Sequence, residues 1–204
     1  MRHLKSLAAA SLLCLAPAAV LAQTVESPWL LHFGAHVVDP KSDTGRIAGM
    51  KSSTTNSTRP TLSVEYRFTP NWSVEALAAV PFQHRVRLAG QSAVSVKQLP
   101  PVLGVNYRFL PESKVTPFLG VGVNYTRFFD AKGRNALEGA NVDVGSSWGV
   151  AWHGGVEVAL DDRWSFIVDA RYINIDAKVK VDGTRVGTAH VDPWVYGFSF
   201  GYRL

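Results

Sequence analysis

The sequence predicts an all-β chain, an eight-stranded antiparallel transmembrane β-barrel with short periplasmic turns and long extracellular loops. Three observations lead there. Apolar and polar residues alternate with period two through eight segments, each about ten residues long, as a tilted membrane strand requires. The connections between segments alternate between short and long. Aromatic residues gather near both ends of the segments, where a bilayer has its two interfaces.

Composition narrows the choice before any segment is assigned. At 204 residues the chain has the length of one domain or one barrel. A hydrophobic fraction of 47% with six Trp, six Tyr and ten Phe is too rich for a disordered chain. A mean hydropathy near zero excludes a helical membrane bundle, whose every span needs about 20 consecutive apolar residues.

Residues 1–22 read as a secretory signal peptide. Arg2 and Lys5 form its positive start and Leu7 to Leu15 its apolar run, and Val20-Leu21-Ala22 places cleavage before Gln23. Residues 23–204 are then the barrel. Cys14, the single cysteine, goes with the leader, so no disulfide is available to the mature chain. Loss of Arg2 and Lys5 leaves 19 basic residues against 16 acidic ones, a net charge of +3 instead of +5. So small a charge on an exported chain argues against a nucleic-acid partner.

The strands follow in order. Trp29, Leu31, Phe33, Ala35 and Val37 share a face in the first, opposite His32, Gly34 and His36. Leu62, Val64, Tyr66 and Phe68 do so in the second, and Trp72, Val74, Ala76, Ala78, Val80 and Phe82 in the third. The fourth carries Leu99, Pro101, Leu103, Val105, Tyr107 and Phe109, and the fifth Leu119, Val121, Val123 and Tyr125. Trp148, Val150, Trp152, Val156 and Val158 mark the sixth, and Trp164, Phe166, Val168, Ala170 and Tyr172 the seventh. Trp194, Tyr196, Phe198, Phe200, Tyr202 and Leu204 complete the eighth. Short connections at Thr69 to Asn71, Leu110 to Val115 and Asp161 to Arg163 contrast with long ones at Asp39 to Thr58, His84 to Ser95, Asp130 to Gly145 and Asp176 to His190. Both termini then lie on the short-turn side. In the third long connection, Ala136-Leu137-Glu138 suggests a short helix.

The opposite face of each strand defines the interior. Four acids, Glu65, Glu75, Glu157 and Asp169, face four bases, Arg67, Arg108, Arg171 and Arg203. Charges inside a narrow barrel are costly unless paired, so an ion-pair network acting as a plug is expected. Further toward the long loops the inward positions become Val38, Leu77, Ala79, Pro81, Pro100, Val102, Ala151, Ile173 and Val195, which would line an apolar funnel or simply pack the upper barrel.

The segments Phe33-Gly34-Ala35-His36-Val37-Val38-Asp39-Pro40, Val80-Pro81-Phe82-Gln83-His84, Lys97-Gln98-Leu99-Pro100-Pro101 and Thr116-Pro117-Phe118-Leu119-Gly120-Val121-Gly122-Val123-Asn124-Tyr125-Thr126 fall in the order in which the chain resembles the OmpW family of small outer-membrane barrels. The likeness spans essentially the whole of residues 23–204. The final Tyr202-Arg203-Leu204 departs from the terminal Phe common in such barrels, which the barrel-assembly machinery reads. The resemblance implies a narrow, largely hydrophobic channel in the Gram-negative outer membrane, with membrane lipid, small apolar solutes and the assembly machinery as partners and no cofactor.

Joined to the plug, that implication gives a route. A small apolar molecule enters the funnel from outside, is stopped by the charged layer and leaves sideways into the membrane. Pro81, Pro100, Pro101 and Pro117 are candidates for weakening the wall, because proline removes a ladder donor. The alternative is a structural or adhesion barrel whose extracellular loops bind a partner without transport. Catalysis is not expected: Ser147, His153 and Asp169 are too scattered for a hydrolytic triad. His32 and His36 stand about 13 Å apart along one strand face, too far to chelate one metal. His84 and His190 fall at loop margins, where solvation is expected.

Overall fold

The computed structural model describes residues 27–204; the signal-peptide assignment lies outside the described residues. Eight staves close on themselves by antiparallel pairing. They are β1 (Trp29–Asp39), β4 (Ser57–Arg67), β5 (Trp72–Ala79), β8 (Val102–Arg108), β9 (Val115–Gly133), β11 (Ser147–Ala159), β12 (Trp164–Ile173) and β15 (Trp194–Arg203). They pair in that order around the ring, and β15 returns to β1 through the register Phe33↔Phe200. Among the described residues the ring itself offers no edge for another strand to join.

Alternation orients the wall. Most positions that the period-two pattern groups as apolar face outward, with Leu103 60% exposed, Leu119 60% and Trp148 72%; Phe82, grouped with them in the third strand, is 2% exposed and inward, because the break at Val80-Pro81 shifts the alternation. A soluble barrel would bury that face; here it forms a continuous band suited to hydrocarbon. Rings pair along its margins, Trp29 with Tyr66, Trp72 with Tyr107 and Trp164 with Tyr202 near the short turns, and Tyr125 with Trp148 and Tyr172 with Trp194 at the other end. The short turns are held by side chains as well as by the ladder. Asp161 Oδ1 accepts from the backbone of both Arg163 and Trp164 at 2.8 Å, and Thr69 Oγ1 accepts from Trp72 N at 2.9 Å.

The connections read as long loops are largely strand. β2 (Arg46–Ile47), β3 (Met50–Thr54), β6 (Phe82–Leu88), β7 (Gln91–Leu99), β10 (Val142–Val144), β13 (Asp176–Val181) and β14 (Thr184–His190) build a crown above the ring. Three tips turn on a residue with positive φ followed by glycine: Ala48-Gly49, Ala89-Gly90 and Asp182-Gly183. Both central residues of such a turn need the left-handed region, which glycine enters without a Cβ clash. The expected short helix is a single 3-10 turn, Asn135–Leu137.

β9 shows how the tiers join. Its 19 residues measure about 60 Å at ~3.3 Å per residue, roughly twice a ~30 Å hydrocarbon layer. Below Thr126 its outward side chains are Leu119, Val121 and Val123; above it they are Arg127, Phe129 and Asp130. The same change occurs on β6, with Gln83, Arg85 and Arg87 outward, and on β13, with Lys178 and Lys180 outward. The crown therefore stands in water. The third and fourth strands, read as continuous from Trp72 to Phe82 and from Leu99 to Phe109, each break at that level, at Val80-Pro81 and at Pro100-Pro101. Proline has no N–H to donate, and the β5–β8 ladder ends at Leu77↔Val102.

Candidate functional site

The lumen is built in layers by inward positions at one height on successive staves. Nearest the short turns, β4, β5, β8 and β11 project Glu65, Arg67, Glu75, Arg108 and Glu157; one step higher, β1, β11 and β12 project His36, His153, Asp169 and Arg171. The side chains pair in two groups, one around Arg108 and one around Arg171. Arg108 pairs with Glu65 through Nη2, lies 3.1 Å from Glu157 Oε2 through Nε, and donates from Nη1 to Ser73 Oγ at 2.9 Å. Arg67 Nη2 reaches Glu157 Oε2 at 2.6 Å and its Nε stands 3.6 Å from Glu65. Arg171 Nη2 binds Glu75 at 2.9 and 3.1 Å while its Nε lies 3.4 Å from Asp169.

Histidines extend both groups. His32 Nε2 is 3.4 Å from Glu65. His36 donates from Nε2 to Asp169 Oδ1 at 3.0 Å, with the Thr61 hydroxyl 2.7 Å from its Nδ1. His153 donates from Nε2 to the other Asp169 oxygen at 3.1 Å. The free space among these groups is about 20 Å³, room for one or two waters. Seven of the eight charges expected inside are thus brought into these two groups, and Arg203 lines a groove at the short-turn rim with Tyr66, Arg67 and Glu112.

Above the charges the lumen is apolar. Val38, Val102, Ala151, Ile173 and Val195 are buried in one hydrophobic cluster, with Leu77 and Ala79 packed against it. Pro100 is buried and Pro81 half-buried at the two strand breaks. Seven of the nine thus pack together as a floor, with Pro81 and Pro100 at the strand breaks beside it. The cavity lies one level further up, inside the crown, where about 50 Å³ is enclosed by Ile47, Val86, Val94, Val96, Phe128 and Val179 among others. None of the nine borders it. Most of its lining comes from segments read as loops, although the alternation of His84, Val86 and Leu88 against Arg85 and Arg87, and of Ala177, Val179 and Val181 against Lys178 and Lys180, carries the strand signal.

His84 corrects the expectation of a solvated residue. It is 2% exposed, on the inner face of β6, with its ring stacked 6.4 Å from that of Phe82. Burial pushes its imidazole below the ordinary histidine range; the hydrogen bond that Nδ1 donates to the Thr55 carbonyl at 2.6 Å opposes this, and the Arg59 charge adds to it. His190 is exposed on β14 and paired with Asp176. Ser147 Oγ accepts from Asp176 N at 2.9 Å, at the foot of the crown, whereas His153 and Asp169 meet in the charged layer. Six residues of strand, about 20 Å, separate Ser147 from His153. No group of three His, Cys, Asp or Glu side chains among the described residues is placed to hold a metal ion.

The wall also has a distinct place. On its outer face, beside the end of the β5–β8 ladder, a groove is lined by the outward Leu62, Ala78, Leu103 and Trp148 together with Pro101 and the inward-pointing Leu77 and Val102. There the apolar floor and the lipid-facing surface share residues.

Comparison with known proteins agrees with this architecture. Residues 28–204 match the OmpW family model. The chain is 33% identical over 186 residues to outer membrane protein W of Escherichia coli (strain K12), covering 86% of this chain and 88% of that one. It is 27% identical over 193 residues to dibenzothiophene metabolism operon protein PahQ of Pseudomonas aeruginosa, covering 88% and 90%. The crystal structure of the outer membrane protein OprG from Pseudomonas aeruginosa superimposes with a TM-score of 0.76 at 30% identity, over 88% of this chain and 97% of that one.

Proposed function

This chain belongs to the OmpW family of outer-membrane proteins, and from that premise we propose that it admits small apolar molecules from outside the cell and releases them sideways into the membrane. It is a non-enzymatic β-barrel of the bacterial outer membrane. On the proposed orientation the crown faces the exterior and both termini face the periplasm, where residues 1–22 are removed as a signal peptide and the barrel-assembly machinery receives the chain.

One observation carries the reading: an apolar cavity stands above a lumen closed by paired charges, and the wall ladder stops beside the floor that separates them. A molecule in the crown meets buried aliphatic side chains below it. Straight passage would take it through a charged network with space for one or two waters. The sideways path runs through the apolar floor and the strand breaks beside it, Val38, Leu77, Ala79, Pro81, Pro100, Val102, Ala151, Ile173 and Val195, to the gap between β5 and β8. No strand pairing crosses the seam between Leu77↔Val102 and Phe82↔Gln98, where the β6–β7 hairpin takes the ladder up again, so the gap is a short window in the wall. The relative named for a dibenzothiophene metabolism operon supports an apolar solute, since dibenzothiophene is itself apolar.

The test is uptake of an apolar dye into lipid vesicles carrying the barrel, with a cysteine pair, Leu77→Cys with Val102→Cys, placed across the seam. The proposal expects faster uptake than in empty vesicles, low ion conductance, loss of the acceleration when the pair is oxidised and its return on reduction. Free ion conductance without accelerated uptake, or uptake indifferent to the disulfide, refutes lateral release.

A further inference from the structure

The crown cavity is lined by apolar side chains except where Thr54, His84 and Gln98 enter it. His84 and Gln98 are 2% and 1% exposed. The Nε2 atoms of these two are buried without a hydrogen-bond partner. Leaving two buried polar atoms unmatched is unfavourable, and such atoms point to something that occupies the space between them.

Their positions allow one group to reach both. β6 and β7 pair with Phe82 opposite Gln98 and His84 opposite Val96. His84 and Gln98 are therefore diagonal neighbours on the inner face of one hairpin, with Cα atoms about 7–8 Å apart. An atom bonded to both nitrogens bridges that interval. The chemistry of the two ends differs. His84 donates from Nδ1 to the Thr55 carbonyl at 2.6 Å, so in the neutral ring Nε2 carries a lone pair and accepts. The Gln98 amide nitrogen donates. The complementary group must both donate and accept at one atom, inside an apolar envelope of about 50 Å³. A hydroxyl does this. An ether or carbonyl oxygen only accepts, an alkane does neither, and a charged head group would be stranded among aliphatic side chains.

We propose that the crown cavity recognises apolar molecules ending in a hydroxyl group, which donates to Nε2 of His84 and accepts from the amide of Gln98. The volume suits the hydroxyl and the first carbons of such a molecule. The assignment deepens the transport reading and rests on it for how a solute comes to the crown, but binding itself is separable from passage.

The experiment uses the full barrel in lipid nanodiscs, with nitrogen NMR of the histidine side chains and the His84 signals identified by His84→Phe. The probes are n-pentanol and two molecules of the same heavy-atom count, butyl methyl ether and hexane, compared at equal free concentration. Pentanol is expected to move the His84 Nε2 signal saturably and to bind about tenfold more tightly than the other two, the value of two net hydrogen bonds. Gln98→Leu is expected to erase that preference while the remaining histidine signals stay unchanged, which shows that the variant is folded. Equal affinity for the three probes overturns the proposal. So does an Nε2 signal already that of a hydrogen-bonded acceptor without ligand and unmoved by pentanol, because a resident water then holds the pair. Vesicle uptake of the same probes separates the two readings. Saturable pentanol binding without accelerated uptake leaves recognition standing and removes transport; accelerated uptake of all three without a His84 response does the reverse.

Discussion

Replacing Arg108 with methionine tests whether the charged layer is held together by pairing. Arg108 is 3% exposed, pairs with Glu65 and Glu157, donates to Ser73 and stands over the Phe118 ring at 5.9 Å. Methionine keeps most of the aliphatic volume and removes every polar contact. The consequences for the two carboxylates differ. Glu157 keeps Arg67 at 2.6 Å, whereas Glu65 is left with Arg67 Nε at 3.6 Å and His32 at 3.4 Å. Glu65 is 1% exposed, so bulk water does not reach it, and an ordered water in the vacated space supplies no compensating positive charge. Stranding one partner of a buried ion pair costs about 3–5 kcal/mol. With a urea slope of about 2 kcal/mol per molar, the unfolding midpoint should fall by roughly 2 M. Adding Glu65→Gln removes the stranded charge and should bring the double variant back to within about 1–2 kcal/mol of the parent. Equilibrium urea unfolding in phosphocholine vesicles, followed by the fluorescence of the barrel tryptophans, measures both. An Arg108→Met variant within about 1 kcal/mol of the parent, or a double variant no better than the single one, would refute the argument that uncompensated charge dominates this layer.

The outward face offers a second test: Val121→Arg places a charge in the middle of the apolar band on β9 and should cost about 2–4 kcal/mol, while Phe129→Arg, outward in the crown on the same strand, should cost under about 1 kcal/mol. Equal penalties in the same unfolding assay would show that the band does not end near Thr126. Acid should loosen the crown through His84. Its folded-state imidazole lies below the ordinary range, so the stability it contributes is present above the unfolded value of about 6.5 and is lost as pH falls through the folded value. Amide protection in β6 and β7 should drop on acidification to a greater extent than in β11 and β12, and His84→Phe should abolish the difference.

How much of this was legible in the chain varies with the layer. The outward band was readable residue by residue, because a strand has a period of two and lipid demands apolar side chains at every second position. Glu65, Glu75, Glu157 and Asp169 could be assigned to the interior for the same reason, as could Arg67, Arg108 and Arg171. The glycines of β9 illustrate what alternation leaves out. A Cβ on Gly122 would stand 2.6 Å from the Leu103 carbonyl oxygen, so β8 and β9 approach too closely there for any side chain. Nothing in the local pattern announces that approach.

The crown was less legible. Its strands are short and carry charge on their outer face, which reads as loop when membrane-length segments set the standard. The turn pairs Ala48-Gly49, Ala89-Gly90 and Asp182-Gly183 are the local signal that marks them as hairpins.

By itself, the sequence determined the all-β class, the number of staves and the face of the residues within them, since these follow from period and turn chemistry within a few residues of chain. Only the tertiary structure decided which acid pairs with which base, that the apolar inward residues pack as a floor, and that the cavity with His84 and Gln98 lies above it. Those depend on closure: β1 must meet β15 across almost the whole chain before the layers exist, and the stagger of strands around the ring sets which distant residues share a height.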